Sequence, residues 1–310
     1  MQKEYLKAFD EIQETLSAFY TKYATDKNVT YAEAQKQLNA FDFASYGSRM
    51  ETLKRRAVAT NNPFVIAEMQ RLYQSASVNR FNALLSEIDA KVLLLGYSQQ
   101  LTMEEILSET FENTLYSTAY TMAIGTGVGV SFAKIDHSAV ELAIKYPWSG
   151  AMFSDLIWDN KVKLTKEMKS TITNGLIKGS SVQRMSRQLS GNMDSSYKDS
   201  LRLIRTETAY VVTEATAQGY EKLELDSFVF LGTLDSKTSK TCQSLDGKIF
   251  KLKDKQVGVN CPPMHPNCRS AISPYFPDIE LRERRARDVQ GNSFIVPNMN
   301  YEEWASKYLK

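Results

Sequence analysis

All three cysteines of this chain fall between Cys242 and Cys268, and His265, one of only two histidines, lies among them. Three thiolates and one imidazole make a complete tetrahedral shell for Zn2+. Cys261-x3-His265-x2-Cys268 is a compact knuckle, and Pro262, Pro263 and Pro266 stiffen it, lowering the entropy lost when ligands converge. Cys242 arrives from the other side of the Lys248–Leu252 segment, so a structural zinc here would staple a hairpin to the loop after it. Such a staple suits a small domain with a modest core. The closed shell implies a structural site, since catalysis needs an open position. With Cys261 outside the shell, a water or Asp235 would fill the fourth place. The same residues also read as reduced thiols in a proline-rich loop with a hydrogen-bonded histidine. An odd number of cysteines does not describe a disulfide scaffold.

The rest of the chain divides by texture. Residues 1–193 read as helices, and residues 194–310 as a smaller mixed region, so the expected fold is α+β with a short antiparallel sheet near the C-terminus. Thr30–Glu33, Thr102–Glu105 and Ser180–Gln183 each fit a capping box at a helix start. Pro63 suits the first turn of a helix after Asn61-Asn62. Helices are expected over Thr165–Lys178, over a short stretch ending at Gly191-Asn192, and over Ser195–Lys222 with Leu201, Ile204, Thr208, Val211 and Ala215 as its buried stripe. Ser227–Gly232, Lys248–Leu252 and Arg269–Ser273 read as strands, with turns at Asp235-Ser-Lys and Asp246-Gly247. The arginines from Arg282 to Arg287 are expected on a charge-rich helix. That face is read as solvated, with contact to DNA as the alternative.

Composition narrows the classes. The chain carries 38 basic and 36 acidic residues, a net charge of +2, so a strongly basic nucleic-acid binder is not indicated. No stretch approaches the ~18 apolar residues of a membrane span, and the acidic N-terminal stretch does not read as a secretory signal, which leads us to expect folding in a cytoplasm. Gly125-Thr-Gly-Val-Gly129 matches neither GxxxxGK[ST] nor GxGxxG and reads as loop or helix packing.

The segment from Leu201 onward resembles the minor head protein family of tailed phages, also called the Mu F-like or head-morphogenesis family. The resemblance rests on Arg205-Thr-Glu207, on Leu234-Asp235-Ser-Lys-Thr238 with Cys242, on Leu245-Asp246-Gly247-Lys248, and above all on Pro262-Pro263-Met-His265-Pro-Asn-Cys268-Arg269. Pro147–Gly150, Phe153–Asp155, Ile157-Trp158 and Tyr301–Trp304 are similar to the Gram-positive phage branch. Family members often have arginine at the place of Lys237 and cysteine at the place of Ser270, which here leaves Cys261 as the extra thiolate. The resemblance implies a structural virion component inside the phage head, of phage or prophage origin. It would be associated with the portal or inner capsid and with DNA packaging or ejection. Residues 1–193 would be the docking region and 194–310 the head-morphogenesis domain.

Arg205 and Glu207 point to nearly opposite sides of a helix and cannot pair with each other. Arg205 is expected as a buried fork-shaped donor reaching Asp235 or the strand turn. The resemblance also admits a toxin-type enzyme carried on a head domain, either an ADP-ribosyltransferase or a nuclease. A nucleic-acid-binding module is a third class. Against an enzyme stand the shortness of Asp278–Lys310 after the head domain and the lack of a His-x-Glu with Pro-Cys-x-x-Cys deaminase pair. The expected catalytic set is empty, and the expected metal ligands are Cys242, Cys261, His265 and Cys268.

Overall fold

The computed structural model describes residues 1–24, 43–75, 80–127, 137–178, 180–278 and 282–309. The expected capping box at Thr30–Glu33 lies outside them. The helices are α1 (Gln2–Ala24), α2 (Phe43–Ala59), α3 (Pro63–Ser75), α4 (Arg80–Thr126), α5 (His137–Ile144), α6 (Phe153–Ile177), α7 (Val182–Lys222), α8 (Lys240–Leu245) and α9 (Tyr301–Tyr308). The strands are β1 (Ser227–Leu231), β2 (Ile249–Lys251), β3 (Ala271–Pro274), β4 (Glu283–Arg287) and β5 (Ser293–Pro297). The fold is α+β, helical first and with small antiparallel sheets towards the C-terminus. Two compact units form, Met1–Thr102 with Ser154–Ser200 and Met103–Phe153 with Leu201–Lys310. The expected division at 193/194 separates the chain by texture. The compact units instead interleave along it, because α4 and α7 each contribute to both.

In the first unit, apolar residues at helical spacing line one face of each helix. Ile12 and Leu16 of α1, Leu84, Ile88 and Val92 of α4, Leu164, Met168 and Ile172 of α6, and Met185 and Leu189 of α7 form one buried cluster. Met50 and Leu53 of α2, Val65 and Met69 of α3, and Leu93 and Leu94 of α4 form another. The apolar run Val92–Leu95 therefore serves two cores at once. Pro63 opens α3 as expected, and the Asn62 carboxamide accepts from the Val65 amide at 3.2 Å as the cap.

Two expected helix boundaries do not exist. Thr102 starts nothing: α4 runs 47 residues through it, and the Thr102 hydroxyl donates to Glu4 at 3.1 Å. Met103, Leu107, Phe111 and Leu115 continue the buried stripe without a break. Gly191-Asn192 ends nothing either, since α7 runs 41 residues across it. A lone interior glycine costs about 1 kcal/mol relative to alanine, and the buried Leu189 and Met193 on either side offset that. At the start of α7 the amide of Arg184 bonds the hydroxyl of Ser181, one residue later than the expected cap.

In the second unit, β1 lies central in a sheet ordered β2-β1-β3, antiparallel on both sides, with Phe228 opposite Phe250 and Phe230 opposite Ile272. All three expected strands are therefore present. Phe228 is buried with Ala217, Tyr220, Leu252 and Ile272. The Arg282–Arg287 stretch forms strand β4, paired with β5, and not a helix. Its alternation decides this: Arg284 and Ala286 face inward while Glu283, Arg285 and Arg287 are exposed. The buried Arg284 donates a fork to Asp246 at 2.8 and 2.9 Å and also reaches the carbonyls of Gly232 and Met299. Asp246 in turn accepts from the Gly232 amide at 2.7 Å. A Cβ at position 232 would lie 3.1 Å from the Cys242 carbonyl, a tight approach that favours glycine.

Candidate metal centre

Cys242 sits in the first turn of α8, whose cap is the Ser239 hydroxyl, accepting from the Cys242 amide at 3.3 Å. His265 and Cys268 lie on the loop before β3, closed by a Cys268 amide bond to the His265 carbonyl at 3.0 Å. Asn267 turns that loop with a φ of 58°, a conformation asparagine tolerates better than most residues. The loop is tethered to α7, since the Asn267 amide donates to the Thr206 hydroxyl at 2.9 Å and Thr206 donates to the Arg202 carbonyl. Together these elements bring one donor atom each from Cys242, His265 and Cys268 within 4.8 Å of one another.

Two of the three spacings fit a metal, and the third lies within 4.8 Å. Tetrahedral zinc with Zn–S of about 2.3 Å and Zn–N of about 2.0 Å gives S···S and S···N edges of roughly 3.8 and 3.5 Å. Cys242 Sγ lies 3.8 Å from Cys268 Sγ and 3.4 Å from His265 Nε2. His265 Nδ1 lies 3.0 Å from the Pro266 carbonyl, so Nδ1 carries the proton and the Nε2 lone pair faces the sulfurs, the usual anchoring of a ligating histidine. Of the two sulfurs, Cys268 is the one whose pKa is lowered. A hydrogen bond from the Cys242 thiol pulls its pKa down most, burial opposes, and the backbone amides of Met264 and Ser270 and the Ser270 hydroxyl add to the lowering. The shared proton pushes Cys242 up, and burial adds to that. Phe230 packs with both cysteines, with Phe250 and Met264 at the edge, and gives the site an apolar floor.

The fourth expected ligand is elsewhere. Cys261 is fully buried in the cluster of Phe228, Leu252 and Ile272, and burial pushes its thiol up to about 12. Its bulk packs β1 and β3 against α7, so it serves the core as a small apolar residue. The Arg205 expectation is corrected as well. Arg205 lies on the exposed side of α7, and the fork on Asp235 comes from Arg269, which directly follows Cys268 in the chain. Asp235 is buried. Burial works against its charge, but Arg269, the Lys237 amide and the Thr238 hydroxyl hold it below the usual carboxylate range. Glu207 is buried away from the metal site, where it accepts from the Trp148 indole at 3.0 Å while burial raises its pKa.

Sequence reasoning missed Arg269, Thr206 and Ser270 as parts of the site. Only their places beside the cysteine loop and in the Arg205–Glu207 triplet hinted at them.

Residues 166–273 match the family model described as phage Mu protein F-like protein. This segment is similar to the phage Mu F-like proteins. It begins within α6 and takes in α7, the whole β2-β1-β3 sheet but for one residue, and every donor of the candidate centre. The chain is also similar to the NAD(+)--arginine ADP-ribosyltransferase EFV of Enterococcus faecalis, at 27% identity over 69% of this chain and 46% of that protein. The chain thus spans about half the length of the curated relative it matches. No solved structure matches it.

Proposed function

We propose that the chain is a minor head protein of a tailed phage or prophage, a structural part of the virion associated with the portal or inner capsid. The observation that carries this reading is that the Mu F-like match covers the sheet and all three converged donors. On this reading the 194–310 region is the head-morphogenesis module, held by Zn2+ through Cys242, His265 and Cys268. The helical 1–193 region supplies amphipathic surface for docking on other head proteins. Exposed Arg285 and Arg287 on β4 are available to packaged DNA, a contact that would weaken steeply with salt. Among the described residues no helix is long and apolar enough to cross a membrane. Assembly would take place in the bacterial host cytoplasm and end inside the capsid. Mass spectrometry of density-purified particles is expected to find the chain in virions and not in the soluble lysate fraction alone. Its absence from intact particles refutes the reading. Metal analysis of untagged protein is expected to give near one zinc per chain, and a folded metal-free protein removes the staple.

A second reading draws on the relative named as an arginine ADP-ribosyltransferase. The same purified chain incubated with labelled NAD+ and an arginine-bearing acceptor separates the two, because transfer of label at enzymatic rates assigns it to the enzyme class. Plasmid cleavage and salt-titrated DNA binding test the nuclease and nucleic-acid-module alternatives in the same way.

A further inference from the structure

Among the described residues three protein donors converge at the candidate centre, one fewer than a closed tetrahedral shell requires. Cys261 fills an apolar role elsewhere, and Asp235 is engaged by the Arg269 fork, the Lys237 amide and the Thr238 hydroxyl. The side chain that does border the site is Ser270. It is buried, stands one residue before β3, and lies close enough to both sulfurs that its hydroxyl lowers the pKa of Cys242 and of Cys268. A neutral alcohol is a poor zinc donor beside thiolates and imidazole, the ligands that structural zinc sites use. His265 is half-buried, and Pro266 and Asn267 beside it are exposed, so solvent reaches this side of the loop.

We infer that the metal shell formed by Cys242, His265 and Cys268 is open at its fourth vertex, and takes an exchangeable small donor from solution, water or a free thiolate. This rests on the metal reading above. An open vertex makes the staple more easily released than a closed Cys3His site. It also gives the site a ligand-binding capacity for small soft anions that a purely structural knuckle lacks.

Cobalt(II) substituted into the full-length chain tests this directly, because its thiolate charge-transfer absorption scales with the number of bound sulfurs. In the unaltered protein, added 2-mercaptoethanol is expected to raise that absorption about 1.5-fold as two thiolates become three. Ser270→Cys is expected to show the higher absorption without added thiol, to ignore added thiol, and to lose metal to a chelator about tenfold more slowly. Ser270→Ala, which keeps the two cysteines and the histidine, serves as the folding control and is expected to respond to thiol like the unaltered chain. A cobalt spectrum in the unaltered protein that is indifferent to thiol overturns the open vertex. So does a loss of sulfur absorption in Cys261→Ser, which would make Cys261 the closing ligand. In both cases the metal site itself stands. A folded chain that takes up neither cobalt nor zinc overturns the metal reading and this inference together.

Discussion

The two compact units both hold buried charge pairs, but they differ in how much apolar packing stands beside them. In the first, helices of 13 to 47 residues bury long apolar stripes, and polar side chains are guests inside a core that is already sufficient. Lys161 is buried with its ammonium over the Tyr5 ring at 4.4 Å and in contact with the Tyr5 hydroxyl, which also meets Ser200 at 2.7 Å. In the second unit the strands are three to five residues long and bury at most two side chains each. That is too little apolar area to fix their positions against the entropy of ordering them. Polar contacts do so instead: the ion pairs of Arg284 on Asp246 and Arg269 on Asp235, and the cysteine–histidine cluster. Where elements are long, packing places them and polar contacts adapt. Where elements are short, a few polar pins place them.

The largest test of this contrast is Asp246→Ala. It leaves Arg284 buried without its carboxylate and frees the Gly232 amide as well. Removing one partner of a buried pair costs about 3–5 kcal/mol, read as a fall in the denaturant midpoint of the second unit. If the pin works through charge, the double variant Asp246→Ala, Arg284→Met recovers a sizeable part of that loss, since an apolar replacement of both partners removes the stranded charge. A double variant no better than the single one would mean that Arg284 acts by filling space.

The first unit makes the complementary prediction. Burial lowers the Lys161 pKa from its ordinary 10.5 to about 7, and the negative charge of Glu4 only partly opposes this. Between those two values the unfolded chain holds a proton that the folded one lacks, so stability rises with pH across the window and is lost as pH falls through about 7. The slope attributable to this one group is at most about 1.4 kcal/mol per pH unit. Lys161→Met keeps the stem and removes the titration. Its stability is expected to be flatter between pH 7 and 10 and to exceed that of the unaltered chain most clearly at pH 6. A variant less stable than the parent at pH 6 would show that the amine is a required pin there too, and the contrast between the units would fail.

The same contrast explains what could be read from the sequence. Long amphipathic helices and the three strands after Lys222 were legible because burial imposes a period, 3.6 in one case and 2 in the other. Thr102 and Gly191 misled because capping and glycine preferences are worth about 1 kcal/mol, far less than a continuous buried stripe. The arginine run at 282–287 was taken for a helix face because charge is normally solvated, whereas Arg284 is buried by a partner 38 residues away. Three of the four expected ligands, singled out by residue type, converge in the fold. The misplaced fourth, Cys261, is a thiol whose burial among Phe228, Leu252 and Ile272 depends on how β1 and β3 meet α7, which spacing does not encode.

The smallest predicted effect concerns the join between the two styles inside one unit, where a long helix holds a short loop. Thr206 on α7 accepts the Asn267 amide at 2.9 Å, between the two loop donors His265 and Cys268. Thr206→Val keeps the shape and deletes the acceptor, so stability should fall by only about 1 kcal/mol. Metal affinity, by contrast, should fall about tenfold, because a group that orients ligands is felt more by the metal than by the fold. Isothermal titration with zinc beside denaturant unfolding measures both. Equal small losses in the two would mean that the prolines and the Asn267 turn shape the loop unaided. A tenfold loss of zinc with little loss of fold would place α7, and with it the Arg205–Glu207 triplet, in the service of the metal centre.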